Sequence, residues 1–364
     1  MNKKLQITTN QFIALVVGYT FVLLEIRYPA VLSIKCNQDA WLIPFFSSIY
    51  PILFFTFYYF VYKKYPDKNI YQINILILGK YLGFIFNCIF VIFIFLYSAI
   101  NFAAIALVLN TTIIWYYTIS QMLFFILLMG LLSTFFSIKS ILKVSQVYFY
   151  LIIFAYLIMT LNFKDGSILN IMPILSDTTP QLLLNSTYTG FFMFAGFEIF
   201  LIYIPYLKNK NDYKKICISV ILILTLLMSG VIFSCIFYFG NETLNLFYFP
   251  VLNMTSSINM PLINNFTFIF IVLLSFNSLK NSSLCFFNFI YSLPEKSRKK
   301  YKIFLIFLLP IPIFLVAKPF TDMVYLDIFI NKIFIPLMGI LLLNIFILFI
   351  SILRRNSNEK KNSI

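Results

Sequence analysis

Histidine is absent from this 364-residue chain. That removes the commonest general base and the commonest metal ligand available at neutral pH. Acidic residues are scarce as well, 12 Asp and Glu against 27 Lys and Arg. With no clustered carboxylates and no imidazole, there is no nucleophile–base pair, so a membrane enzyme is disfavoured. The five cysteines (Cys36, Cys88, Cys217, Cys235 and Cys285) are scattered, with no CxxC spacing. They read as small apolar residues, not as a zinc or disulfide framework. No cofactor and no metal are expected. The net charge of +15 would suit nucleic acid only if it covered one face of a soluble domain. Here the basic residues fall in short clusters between long apolar runs, the pattern of membrane loops, and no nucleic-acid partner is expected.

Apolar residues are what the chain has in excess. They make up 61% of it and charged residues only 11%, against roughly 45–50% and about 25% in soluble domains. A chain of this length cannot bury so much apolar surface in its own interior, but lipid can cover it. The 46 Phe and 24 Tyr, beside abundant Ile, Asn and Lys, fit a chain encoded by AT-rich DNA and are not read as an aromatic cage.

The expected fold class is all-α integral membrane, with ten transmembrane helices in a single domain over 1–353 and a basic cytoplasmic tail over 354–364. A span needs about 20 apolar residues. The runs that qualify are 11–31, 41–62, 81–107, 113–133, 144–161, 188–207, 216–239, 266–290 and 328–353. A tenth, 303–316, is short and carries Pro310 and Pro312. The first run follows Lys3 and Lys4, yet it is long for a signal peptide and no small-residue cleavage site follows, so it is expected to stay attached. Placing both ends in the cytoplasm puts 21 of the 27 basic residues inside. The clusters are Lys63–Lys80, Lys208–Lys215, Lys296–Lys302 and Arg354–Lys361, with pairs at Lys3/Lys4 and Lys139/Lys143. Four lie outside (Lys35, Lys164, Lys318, Lys332), and Arg27 and Lys280 fall within spans. This alternation through ten spans supports the count, the short ninth span included.

Ionisable residues inside a membrane cost about 2.5–3.5 kcal/mol at a helix centre, so each is a candidate site. Glu25 and Arg27 lie toward the outer side of the first span, where Arg27 has room to snorkel. Glu198 in the sixth span and Lys280 in the eighth fall near mid-membrane, where a buried charge pair between them, structural or functional, is expected. Phe194-Ala195-Gly196-Phe197-Glu198, with Pro205 seven residues on, marks a helix whose middle can loosen. Tyr97 and Asn101 share one face of the third span, and Asn277 and Ser278 precede Lys280. No repeat is visible by residue identity. Hydropathy nevertheless allows a five-plus-five division in which the halves lie inverted, as in many secondary transporters whose interrupted first helices hold the substrate.

Specific strings sharpen this reading. Asn37-Gln38-Asp39-Ala40-Trp41 resembles the G-Q-D-A-W element of the spore germination permease family, the B subunits of bacterial spore germinant receptors within the amino acid–polyamine–organocation transporter superfamily. Asn170-Ile171-Met172-Pro173-Ile174-Leu175, then Phe194 to Glu198 and Pro205, resembles the family's N-x-x-P-x-L … F-x-G-F-E … P stretch, and Phe249-Pro250 its F-x-P element. The first span departs from the pattern. Gly18 and Pro29 match G-x-x-x-G-x-G before a Pro, but Val22 and Leu24 replace the later glycines. Branched side chains favour neither an unwound turn nor close backbone approach.

The resemblance implies a LeuT-like ten-helix 5+5 inverted repeat in the inner membrane of an endospore, sensing a small nutrient such as an amino acid alongside A and C subunits. The candidate ligand-binding residues it implies are Gly18, Thr20, Tyr97, Asn101, Ala195, Gly196, Glu198, Asn277 and Ser278. The alternative is a secondary active amino acid transporter.

Overall fold

The computed structural model describes residues 6–21, 23–176, 178–258, 266–292 and 308–361. These residues are almost entirely helical, as lipid demands: a helix satisfies its own backbone hydrogen bonds where water is absent. The main helices are α1 (Thr9–Thr20), α2 (Tyr28–Cys36), α3 (Ile49–Lys64), α4 (Ile70–Thr112), α5 (Ile119–Ser133), α6 (Ile138–Met159), α7 (Pro180–Gly190), α8 (Tyr213–Phe239), α9 (Thr267–Ser292), α10 (Pro310–Ala317), α11 (Met323–Phe329) and α12 (Ile335–Lys361). Capping boxes start three of them. Thr8 with Gln11, Asn69 with Gln72 and Thr118 with Gln121 each satisfy two backbone N–H groups reciprocally.

Six helical segments among the described residues are long and apolar enough to cross a bilayer: 28–64, 70–112, 138–165, 210–239, 267–292 and 323–354. A bent pair, Pro180–Phe194 and Phe197–Tyr206, meets at 45° and makes a seventh if taken as one span. The expected fourth span corresponds to α5, 15 residues long. The expected ninth begins within 293–307, outside the described residues, as do the Lys296–Lys302 cluster and Val22. The apolar surface lies where lipid would meet it: Phe84, Phe124, Leu222, Leu226 and Leu343 are all exposed on the bundle's outside.

α4 turns sharply at Gly79, whose φ of +83° is a conformation few side-chain-bearing residues adopt. Its first turns fold back on the rest, with Asn74 Nδ2 donating to Asn87 Oδ1 and Asn87 Nδ2 to the Tyr71 carbonyl. The helix therefore changes direction just before the run expected as the third span.

The first span is interrupted although its later glycines are missing. α1 stops at Thr20, a 3₁₀ turn runs over Leu23–Ile26, and α2 resumes at Tyr28 with Pro29 in its first turn. Contrary to the expectation from branched residues, the span does not run on as one helix. An interruption needs partners for the freed carbonyls, and neighbouring helices supply them here. The second interruption is built differently. α7 tightens into a 3₁₀ turn over Phe191–Phe194, and Ala195 is extended (ψ 140°). Gly196 then takes φ +104° before Phe197 restarts the helix.

Both broken helices are central. α1 packs against α6 and α8, α9 against α4, α5 and α6, and α12 against α3 and α4. At the chain's start Ile7 pairs with the end of the second broken helix. Its N–H donates to the Tyr206 carbonyl and its carbonyl accepts from Lys208 N–H, each at 2.9 Å. The two interrupted helices are thus fastened to each other at one end.

Candidate functional site

The broken end of α1 exposes carbonyls that no longer have helical partners. Side chains from two other helices take them. Lys280 Nζ on α9 donates to the Gly18 carbonyl at 2.9 Å, and Tyr97 OH on α4 lies 3.0 Å from the Tyr19 carbonyl and 3.2 Å from that of Thr20. Asn277 Nδ2 on α9 donates to the Phe21 carbonyl at 2.8 Å. Lys280 puts a positive charge where the helix dipole is negative, and its ammonium also sits 5.0 Å from the centre of the Tyr148 ring. Gly18 is needed for this approach, since a Cβ there would stand 2.6 Å from Lys280 Nζ. The Thr20 hydroxyl turns back to the Val16 carbonyl.

Tyr97 also touches the second break. A Cβ on Gly196 would lie 2.5 Å from the Tyr97 hydroxyl oxygen, so this glycine is required both for its backbone angle and for its lack of a side chain. Ala195 beside it is buried. One tyrosine thus stands at both breaks, which brings Gly18, Thr20, Tyr97, Ala195, Gly196 and Asn277 into one region.

Glu198 has partners of its own. Its Oε1 accepts from Tyr50 OH at 2.6 Å and its Oε2 from the Gly196 N–H at 2.7 Å. The carboxylate therefore caps the restarted helix and ties it to α3. The expected Glu198–Lys280 ion pair is not formed. Each charge has its own partners, Tyr50 and Gly196 for one, Gly18 and Tyr148 for the other. The physical reason is the breaks themselves: each exposes backbone groups of opposite polarity, and each charge takes the nearest.

Asn101 and Ser278 line a small cavity between α1, α4 and α9, together with Tyr19, Ser98, Asn281, Ser282 and Cys285. It has room for about one water-sized group. Its wall is under-satisfied: Asn281 is 5% exposed, neither amide atom has a partner, and Asn101 Oδ1 also lacks one. Buried polar atoms are nearly always paired, so unpaired ones facing a cavity mark a place that accepts a polar guest. Asn281, Ser282, Ser98 and Tyr19 were missed from the sequence. The run Asn277-Ser278-Leu279-Lys280-Asn281-Ser282-Ser283 is the signal that held them, because such polar density is unusual inside a span. Tyr50, 148 residues from Glu198, carries no such signal.

Of the strings that carried the family resemblance, Phe194 to Glu198 forms the second break, while those around Asp39 and Pro173 do not line this region. The Asn37 and Asn170 strings form a clamp at the other end of α2. The Leu175 N–H donates to both Asp39 oxygens (3.0 and 3.1 Å), and the Thr178 hydroxyl also bonds Asp39. Gln38 Nε2 donates to the Pro173 carbonyl at 2.9 Å, and Asn241 Nδ2 to Asn37 Oδ1 at 3.1 Å. Between clamp and breaks, Arg27 makes a bidentate ion pair with Asp327 of α11 at 2.6 and 2.7 Å. Arg27 is thus held by a partner and does not snorkel to water. The pair borders a second cavity that includes Tyr28, Thr189 and Asn331.

Two interrupted apolar helices meeting at a buried polar centre mark an integral membrane protein of transporter type, a transporter or receptor in class. The chain belongs to the spore germination protein family, whose pattern it matches over residues 6–325. No curated protein matches it. Among solved structures it is similar to a Na⁺-coupled sialic acid symporter in its substrate-bound outward-open state. The two share 15% identity at a TM-score of 0.61, over 92% of this chain and 78% of that one. At that identity the likeness shows the fold, and it agrees with the transporter-type architecture that the resemblance implied.

Proposed function

We propose that this chain is the B subunit of a spore germinant receptor, which senses a small nutrient, an amino acid by preference, and passes the signal to A and C subunits. The observation that carries the reading is the family match over 6–325, on a chain whose first broken helix borders an under-satisfied polar cavity. In this reading the chain has ten spans in a five-plus-five arrangement, sits in the inner membrane of the spore and keeps both termini in the cytoplasm. Asn101, Ser278 and Asn281 contact the ligand's polar groups. Tyr97, Gly196, Gly18, Thr20, Ala195 and Asn277 form the two breaks whose geometry the ligand biases, and Glu198 fastens the second break to α3. A ligand shifts such a bundle only through differential affinity for two conformers. Closing on the unpaired amides of Asn281 supplies that difference.

The test is an in-frame deletion of the gene, scored by loss of refractility in spores exposed singly to each amino acid. Loss of response to at least one nutrient supports the reading. Unchanged germination, together with concentrative amino acid uptake by vesicles carrying the protein, would point to a transporter instead.

A further inference from the structure

Two helices far apart in sequence, α3 and α12, pack against each other, and three ring pairs fix how. Phe57 lies 5.1 Å from Phe346 and 5.4 Å from Phe349, and Phe60 lies 4.9 Å from Phe349. An advance of three residues on α3 thus matches an advance of three on α12, so the helices run parallel and in step. Carried past the rings, that register sets Lys63, three residues beyond Phe60, and Arg354, five beyond Phe349, within about 3 Å of one another along the axis. Both lie on the side of the membrane proposed above to be cytoplasmic.

Helical spacing also sets the rim on which they stand. Phe60 turns one way from Phe57, and Phe346 turns the opposite way from Phe349. In a parallel pair those two turns lead to the same rim, as g and e positions meet in a parallel coiled coil. Exposure agrees: Phe60 and Phe346 are 39% and 38% exposed, while Phe57 and Phe349 are half-buried. Lys63 follows Phe60 by three residues and Arg354 follows Phe346 by eight, spacings that keep each cation on its ring's side. Leu343, three residues before Phe346, is exposed and extends the rim toward the membrane interior. One rim therefore carries an apolar track that ends at two cations. Lys63 and Arg354 are exposed and, among the described residues, neither is in an ion pair. Asp67, the acidic residue nearest Lys63 in sequence, is held by Lys210 at 3.1 Å. Soluble phosphate would meet the cations and leave the track bare. A zwitterionic lipid would fill the track but bring its own cation to a positive site. An anionic phospholipid satisfies both.

We propose that the seam between α3 and α12 holds one anionic phospholipid of the cytoplasmic leaflet, with its phosphate on Lys63 and Arg354 and an acyl chain along Phe60, Phe346 and Leu343. Binding is measured on the purified full chain, so it stands or falls apart from nutrient sensing. Native mass spectrometry follows the chain in detergent as it is titrated with phosphatidylglycerol or with phosphatidylcholine of the same acyl chains. The wild type should bind the first phosphatidylglycerol at least about tenfold more tightly than phosphatidylcholine. Lys63→Gln with Arg354→Gln should lose that preference and leave phosphatidylcholine binding unchanged. Lys139→Gln with Lys143→Gln removes equal charge from exposed positions on α6 and should keep the preference. Equal affinity of the wild type for the two lipids overturns the proposal. So does a preference that survives in the Lys63 and Arg354 variant, or one that the α6 variant loses to the same extent. Should the Lys63 and Arg354 variant fail to fold, phosphatidylglycerol with a photoreactive acyl chain is crosslinked to the wild type. Adducts within 53–64 and 343–354 sustain the proposal, and adducts confined to other segments overturn it.

Discussion

Separating Glu198 from Lys280 has a thermodynamic consequence that a double-mutant cycle can read. Glu198→Gln leaves one oxygen for two donors, Tyr50 OH and the Gly196 N–H, so one hydrogen bond to a charged group is lost, at a cost of about 1.5–3 kcal/mol. Lys280→Met strips the Gly18 carbonyl of its donor, a loss of the same kind and about the same size. Because the two groups share no partner, the losses should add, giving about 3–6 kcal/mol for the double variant with coupling within about 0.5 kcal/mol. A direct ion pair predicts the opposite pattern. Each single change would strand a charge at about 3–5 kcal/mol, and the double would recover much of that. Reversible unfolding of all four proteins in mixed micelles, at matched detergent composition, measures the cycle. A double variant more stable than either single by over about 1 kcal/mol would refute the separation.

Three further outcomes follow from the geometry. Gly196→Ala places a side chain at φ +104° and a Cβ 2.5 Å from Tyr97 OH. It should cost about 2 kcal/mol or more, visible as reduced monodisperse protein in fluorescence-detected size exclusion, and a normal yield would contradict the account of the second break. Asp39→Ala removes the acceptor of Leu175 N–H and the Thr178 hydroxyl. It should cost about 1–3 kcal/mol and raise proteolysis within 166–179, whereas unchanged cleavage would show that the clamp holds nothing. A reporter fused after Arg354 should score cytoplasmic and one inserted at Ser176 external, following the basic asymmetry. Both reporters on one side would sink the ten-span topology.

Much of the helical layout was legible in the sequence because lipid imposes a simple rule, a long apolar run for each crossing. The second break was legible too, since Gly196 beside a buried Glu198 and ahead of Pro205 announces a helix that cannot run straight. The first break was misjudged. Val22 and Leu24 argued for continuity, but the interruption is stabilised from outside by Tyr97 and Asn277, 78 and 256 residues away in sequence from the nearest carbonyls they serve. The charge pairing failed for the same reason. Depth in the membrane could be read from span position, but the partner of each charge depends on which backbone groups the breaks leave free. The motif strings located the family, and Phe194 to Glu198 marked the second break, but none of them lines the cavity, because Asp39 and Gln38 hold a loop whose residues do not reach Asn101 and Asn281.

The central claim is that the polar cavity between α1, α4 and α9 is where the nutrient acts. Its most direct test is complementation of deletion spores with the wild-type gene, Asn101→Ala or Ser278→Ala, with protein amounts matched by immunoblot and germination rate recorded against nutrient concentration. The account predicts that wild type restores the response, and that each variant restores it only at about tenfold or higher nutrient, as loss of one hydrogen bond of about 1.4 kcal/mol requires. Identical dose curves for all three would contradict it.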